Sequence, residues 1–181
     1  MELTTSKETI TNTSTIQIKK RDGRLEPLDI DKIHFVVEEA CEGLSGVSSS
    51  QIEINANIQF YDGMTTKEVQ QILVRSANDL ISLEAPNYQY AAARLLSYDV
   101  RKEAHGQYEY IPLLKLIMRN IRVGVYDKAI VEQFNKTEIK KMNTWIKRDR
   151  DLDFTYAGLR QVVDKYLVQD RSTGALYETP Q

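Results

Sequence analysis

From residue 16 the chain alternates apolar and polar positions through Ile16, Gln17, Ile18 and Lys19, the two-residue period of a strand. Asp22 and Gly23 then supply turn residues that tolerate positive φ, and Leu25, Glu26, Pro27 and Leu28 return as a second short strand. A β-hairpin is expected, with Pro27 confining its second strand to a sheet edge. The period then lengthens. Asp29 stands at an N-cap, and Ile33, Val36, Val37, Ala40, Cys41 and Leu44 lay one apolar stripe along a helix reaching about residue 43. Ser48, Ser49 and Ser50 offer caps for a shorter helix carrying Ile52 and Ile58, closed by the turn residues Tyr61, Asp62 and Gly63. Thr65 and Glu68 form a Thr-x-x-Glu capping box, after which Val69, Ile72, Leu73, Ala77 and Leu80 follow helical spacing. Pro86 suits the first turn of a fourth helix, continuing to about residue 103 before Gly106.

Beyond Gly106 the pattern predicts further helices over 111–123, 137–148 and 156–166. The run 166–178 reads as a second hairpin with Gly174 in its loop. Residues 1–14 lack hydrophobic periodicity and read as a disordered tail. The expected organisation is thus a mainly α chain in three parts: the tail (1–14), a hairpin followed by four helices (15–105), and a helical segment ending in a hairpin (106–181). A two-stranded hairpin is marginal alone, so its position at the chain's end implies that something else covers it.

Composition narrows the function classes. With 181 residues, 41% hydrophobic and 28% charged, the chain is of globular type. A net charge of −2 gives no general reason to bind nucleic acid or an anionic membrane. No apolar h-region or 18-residue apolar run occurs, so neither a signal peptide nor a membrane span is expected and a cytoplasmic location follows. The single cysteine, Cys41, lies on the first helix's apolar stripe and reads as a small buried hydrophobe, and His34 and His105 lack metal-ligand spacing. Asp149, Arg150 and Asp151 read as a solvated, salt-bridged face. Lys140, Lys141, Lys147 and Arg148 around Trp145 read as an exposed helical face with one anchoring tryptophan.

Candidate chemistry gathers in Lys20, Arg21, Glu26, Asp29, Lys32, Thr66 and Lys102. A nucleoside triphosphate needs several cationic donors, and free amides at a helix N-terminus add to them. Lys20 and Arg21 fall at the hairpin turn and Lys32 in the first turn of the following helix, so the three can converge. A hydrogen bond to a charged group contributes about 1.5–3 kcal/mol and micromolar binding needs about 8 kcal/mol, so three or four such contacts plus base burial suffice. Each residue also has a plainer reading: surface lysines among 24 Lys and Arg, an edge-strand carboxylate at Glu26, caps at Asp29 and Thr66. No GxxxxGK[ST], GxGxxG, GxSxG or CxxC motif occurs, which excludes a self-contained kinase or dehydrogenase.

The run of residues 18–33, with its Lys20-Arg21-Asp22-Gly23 turn and its Asp31-Lys32-Ile33 helix start, resembles the opening of the ATP-cone. Residues 59–66, 85–95 and Arg101-Lys102 before Gly106-Gln107-Tyr108-Glu109 extend the likeness to the large subunit of class I ribonucleoside-diphosphate reductase. Gly124-Val125-Tyr126-Asp127, Phe154-Thr155-Tyr156, residues 165–169, Thr173-Gly174 and Tyr177-Glu178 resemble the helical segment before that family's catalytic barrel. The resemblance implies that 15–105 is an ATP-cone and that Ile18, Lys20 and Arg21 line a site for ATP or dATP, with Mg accompanying the phosphates. It implies that Glu26, Pro27, Leu28, Asp29, Ile30, Asp31, Lys32 and Ile33 wrap that site and that Thr66 and Lys102 complete it. ATP is then expected to activate and dATP to inhibit deoxyribonucleotide synthesis. The implied partners are the catalytic remainder of the large subunit, a radical-generating small (beta) subunit and further copies of the chain.

The thioredoxin- or glutaredoxin-dependent chemistry of the family uses barrel cysteines that this segment lacks, so the segment alone is expected to be inactive and to carry no redox cofactor. Asp29 stands where the family often has Asn, and Gln70 and Asp99 where some members have His. These departures leave an alternative open: a docking fragment of a split or truncated reductase with a degenerate cone. A cone-bearing repressor would require a four-cysteine zinc ribbon, which one cysteine cannot supply.

Overall fold

A computed structural model describes residues 16–181; the tail expected at 1–14 lies outside the described residues. Strands β1 (Gln17–Lys19) and β2 (Leu25–Pro27) pair antiparallel with Ile18 opposite Glu26. Gly23 adopts φ 88° in the connecting turn, where the Gly23 amide donates to Lys20 O at 2.9 Å. On its other side β1 is held by the approach to the third helix: Gly63 N donates to Gln17 O and Lys19 N to Met64 O, both at 2.8 Å.

Four helices follow: α1 (Ile30–Cys41), α2 (Ser49–Asn57), α3 (Thr66–Asp79) and α4 (Tyr88–His105). Their starts are set by the side chains expected from the sequence. Asp29 accepts from Lys32 N, Ser48 from Gln51 N, and Thr65 and Glu68 close a full capping box. Gly106 ends α4 in the left-handed region, at φ 75°. The core lies between α1, α3 and α4, where Val37, Ala40, Leu73, Ala77, Ala92 and Leu95 are essentially inaccessible. The small side chains of Ala91, Ala92 and Ala93 let α4 run through its centre. On α2 the core position falls to Ile52 and Ala56, whereas Ile58, expected on the apolar face, lies past the helix end and is 81% exposed.

The remaining helices are α5 (Leu113–Arg122), α6 (Ala129–Gln133), α7 (Lys136–Asn143), a 3₁₀ helix (Arg148–Asp153) and α8 (Tyr156–Lys165), with α8 packed on α4. Three sequence expectations change here. The helix expected over 137–148 stops at Asn143, leaving Trp145 outside it and 63% exposed rather than anchoring. In the expected solvated face at Asp149–Asp151, a 3₁₀ helix, Asp149 and Arg150 are exposed, but Asp151 is 2% exposed and its carboxylate accepts from Tyr110 Oη at 2.8 Å. The second hairpin shrinks to one antiparallel bridge, Gln169 to Leu176. Its ladder is interrupted because Val168 N donates to Glu178 Oε1 and Leu176 N to Glu103 Oε1 instead of to strand carbonyls. Leu167 and Leu176 nevertheless bury into the core.

Among the described residues no helix is long and apolar enough to cross a membrane, and no group of three or more His, Cys, Asp or Glu side chains could hold a metal ion.

Candidate functional site

The first hairpin, the N-terminal halves of α1 and α3, and the end of α4 enclose a cleft of ≈ 380 Å³. Ile18, Lys20, Leu28, Asp29, Lys32, Ile33, Thr66 and Lys102 line it, so eight of the residues expected at the site meet there. A second hollow of ≈ 310 Å³ adjoins it and shares Lys20, Thr66 and Lys102 while adding Arg21 and Glu26. Pro27, Ile30 and Asp31 line neither: all three are exposed, Ile30 to 54%, so these three do not face the cleft. The α-helical period explains this for the last two, since Ile33 takes the inward position between exposed neighbours.

Sequence reasoning missed Phe35, Val36, Val69, Gln70, Leu73 and Tyr108, which complete the lining. Val36, Val69 and Leu73 were visible only as helix stripe, where a cleft wall and a core face look alike. Phe35 carried a signal: a large aromatic off the stripe, 63% exposed, on a helix whose inward positions were already filled. Asp29, Gln70 and Asp99 each have defined surroundings. Asp29 lines the cleft and also caps α1, its Oδ1 accepting from Lys32 N at 3.1 Å. Gln70 Nε2 donates to Leu95 O at 2.8 Å. Asp99 lines a narrower extension of the cleft with Arg21, Thr66, Lys67 and Lys102.

The cleft combines two kinds of lining. Ile18, Leu28, Ile33, Phe35, Val36 and Leu73 present apolar surface suited to a flat base. Lys20, Lys32 and Lys102 supply cationic donors, and Arg21 adds a fourth from the adjoining hollow. These cations are partly engaged: Lys20 Nζ lies 3.2 Å from Glu26, Lys32 Nζ 2.8 Å from Asp29, and Arg21 Nη1 donates to Lys102 O at 3.1 Å. Lys102 has no ion-pair partner among the described residues. Desolvation, then the neighbouring charges of Arg21 and Lys20, pushes its pKa below the ordinary lysine value, with Asp99 opposing and Lys32 adding a little. Desolvation in turn raises the carboxyl pKa of Asp99. Such an excess of positive charge is relieved by an incoming polyanion.

Cys41 is free, and burial raises its thiol pKa to about 11, which leaves it protonated at neutral pH.

The ATP cone domain family matches residues 16–103. Ribonucleoside-diphosphate reductase 1 subunit alpha of Escherichia coli (strain K12) is 45% identical over 164 residues, covering 91% of this chain and 22% of that protein. The corresponding alpha subunit of Haemophilus influenzae is 40% identical over 166 residues, covering 92% and 22%. That of Enterobacteria phage T4 is 40% identical over 168 residues, again covering 92% and 22%. The chain therefore spans about a fifth of the length of these relatives.

Proposed function

We infer function from the premise that this chain belongs to the ATP-cone family and matches the N-terminal region of ribonucleoside-diphosphate reductase large (alpha) subunits. Its cleft is the effector site: ATP or dATP places its base against Ile33, Phe35 and Val36 and its phosphates among Lys20, Arg21, Lys32 and Lys102. The observation that carries this reading is the meeting of three cations with an apolar wall in one cleft, with Arg21 in the hollow that adjoins it. Mg arrives on the phosphates, and the oxygen donors lining the cleft and its adjoining hollows include the Thr66 hydroxyl and the Glu26, Asp29 and Asp99 carboxylates.

The output is regulation of deoxyribonucleotide synthesis, permitted by ATP and restrained by dATP. Allosteric couplings of about 1–3 kcal/mol suffice for such control, so a ligand difference of one hydroxyl can bias how the large subunit associates with itself and with a radical-generating small subunit in the cytoplasm. This region supplies the sensing and leaves the reduction to the catalytic remainder, since Cys41 is neither one of a pair nor acidic. The docking-only alternative is not favoured, because residues 16–103 match the ATP cone domain family and most of the chain matches reductase alpha subunits.

Calorimetric titration of the chain with ATP and dATP is the direct test, with saturable binding of both expected below millimolar concentration. Lys20→Ala and Lys32→Ala should each weaken both nucleotides together. Heat-silent titrations of the wild type at millimolar ligand would sink the effector-site reading.

A further inference from the structure

Tyr108 lines the nucleotide cleft, and its ring also packs on Arg101, a residue that takes no part in that cleft. The Arg101 guanidinium is enclosed by three tyrosines, its central carbon lying 5.0 Å from the Tyr98 ring centroid, 4.5 Å from Tyr108 and 4.8 Å from Tyr110. Three cation–π contacts hold the charge, yet they leave hydrogen-bonding capacity unused: Arg101 Nε and Nη2 are buried without a partner.

The matching acceptor is close by in the same cluster. Tyr110 Oη donates to Asp151 Oδ2 at 2.8 Å, while Asp151 Oδ1 is buried and unpartnered. Arg148 stacks on Tyr110 at 4.0 Å, and the His105 ring meets it edge-on at 5.4 Å. Tyr108 Oη is in turn held by Glu39 of α1. A buried guanidinium and a buried carboxylate oxygen, both short of partners across one tyrosine ring, describe two available arrangements: cation–π cage or direct ion pair. Packed interiors tend to switch between such discrete states rather than deform smoothly.

We propose that Arg101 couples the cleft to the segment that follows the cone: a nucleotide lodged against Tyr108 loosens the tyrosine cage, the guanidinium pairs with Asp151, and the 3₁₀ helix Arg148–Asp153 is reset. This rests on the effector-site reading above and names how occupancy leaves the site. Contacts of Tyr108 with the ligand supply the differential affinity that any such shift requires. The element that moves carries its own reporter, because the sole tryptophan, Trp145, lies three residues before it and is exposed.

The test follows Trp145 fluorescence and hydrogen exchange across residues 147–154 in the full chain, with and without saturating ATP or dATP, with affinity measured separately by calorimetry. In the wild type, nucleotide should change exchange in this stretch by about threefold or more. Arg101→Gln, Asp151→Asn and the mild Tyr110→Phe should bind nucleotide as the wild type does and lose that change. Variants that bind and keep the full response overturn the coupling while leaving the effector site standing. If the wild type binds no nucleotide, the effector reading fails and the ligand-free chain decides the coupling. There, Tyr108→Leu should alter exchange over 147–154 only when Arg101 is present, and an undiminished effect in the Arg101→Gln background overturns it.

Discussion

Lys102 shows how one side chain can oppose the fold that positions it. Its pKa is depressed in the folded chain, so at neutral pH its charge is a net cost to folding, relieved only as pH rises toward the ordinary lysine value of 10.5. Lys102→Met is therefore expected to raise the Tm of the ligand-free chain in scanning calorimetry while weakening ATP and dATP by about tenfold. Affinity in the wild type should fall on the alkaline side as Lys102 deprotonates, beginning below pH 10.5, and binding should take up protons there; pH-independent affinity from 7 to 10 would contradict this. Asp29 presents the opposite case. It was legible as a cap, and what the sequence could not say was which way its charge points: it ties down Lys32 as well as the amide. Asn caps a helix as well as Asp does, so Asp29→Asn should spare stability, release Lys32 and tighten nucleotide binding about two- to tenfold by titration.

At the scale of elements, local start signals were readable in the first part of the chain, whereas the capping box of Asn135 and Glu138 that starts α7 went unread. The capping box at Thr65 and Glu68 forms as the spacing predicts, with Glu68 Oε2 accepting from Thr65 N at 2.7 Å and Glu68 Oε1 from Tyr61 Oη at 2.8 Å. Because α3 starts at Thr66, this box fixes a cleft residue. Thr65→Ala should cost about 1–2 kcal/mol, lowering Tm by roughly 2–8 °C, and weaken nucleotide binding through Thr66; an unchanged Tm would show that the cap is redundant with the β1 contacts. The elements that escaped the sequence are those whose backbone groups are decided at a distance. Strand pairing over 166–178 is cut short by Glu103 and Glu178, 73 and 10 residues from the amides they accept. The five-residue α6 has no buried residue and so no apolar period to read. The tyrosine cage likewise joins α4 to a 3₁₀ helix some fifty residues on, a meeting that no local pattern encodes.

For the whole molecule, the join between the cone and the following segment is where acid should act first. His105 is 7% exposed, and desolvation together with the charges of Arg148, Arg119 and Arg101 lowers its pKa to about 4. Its folded value lies below the unfolded one, so its contribution is intact above about pH 6.5 and is lost as pH falls toward 4. At about 1.36 kcal/mol per pKa unit, denaturant-unfolding free energy should drop by up to about 3 kcal/mol across that interval. His105→Phe should flatten the slope, and an equally steep slope in that variant would assign the loss to other groups. A last property follows from the placement of β1. An exposed strand rim is a hazard, since unpaired amides invite a neighbour's backbone. Here β1 is bonded to β2 on one side and to residues 63–64 on the other, and the remaining rim belongs to β2, where Pro27 has no amide to offer. Crowding two copies together therefore gives their hairpins little to share, and any association of this region should be made through side chains and helices rather than by extending a sheet.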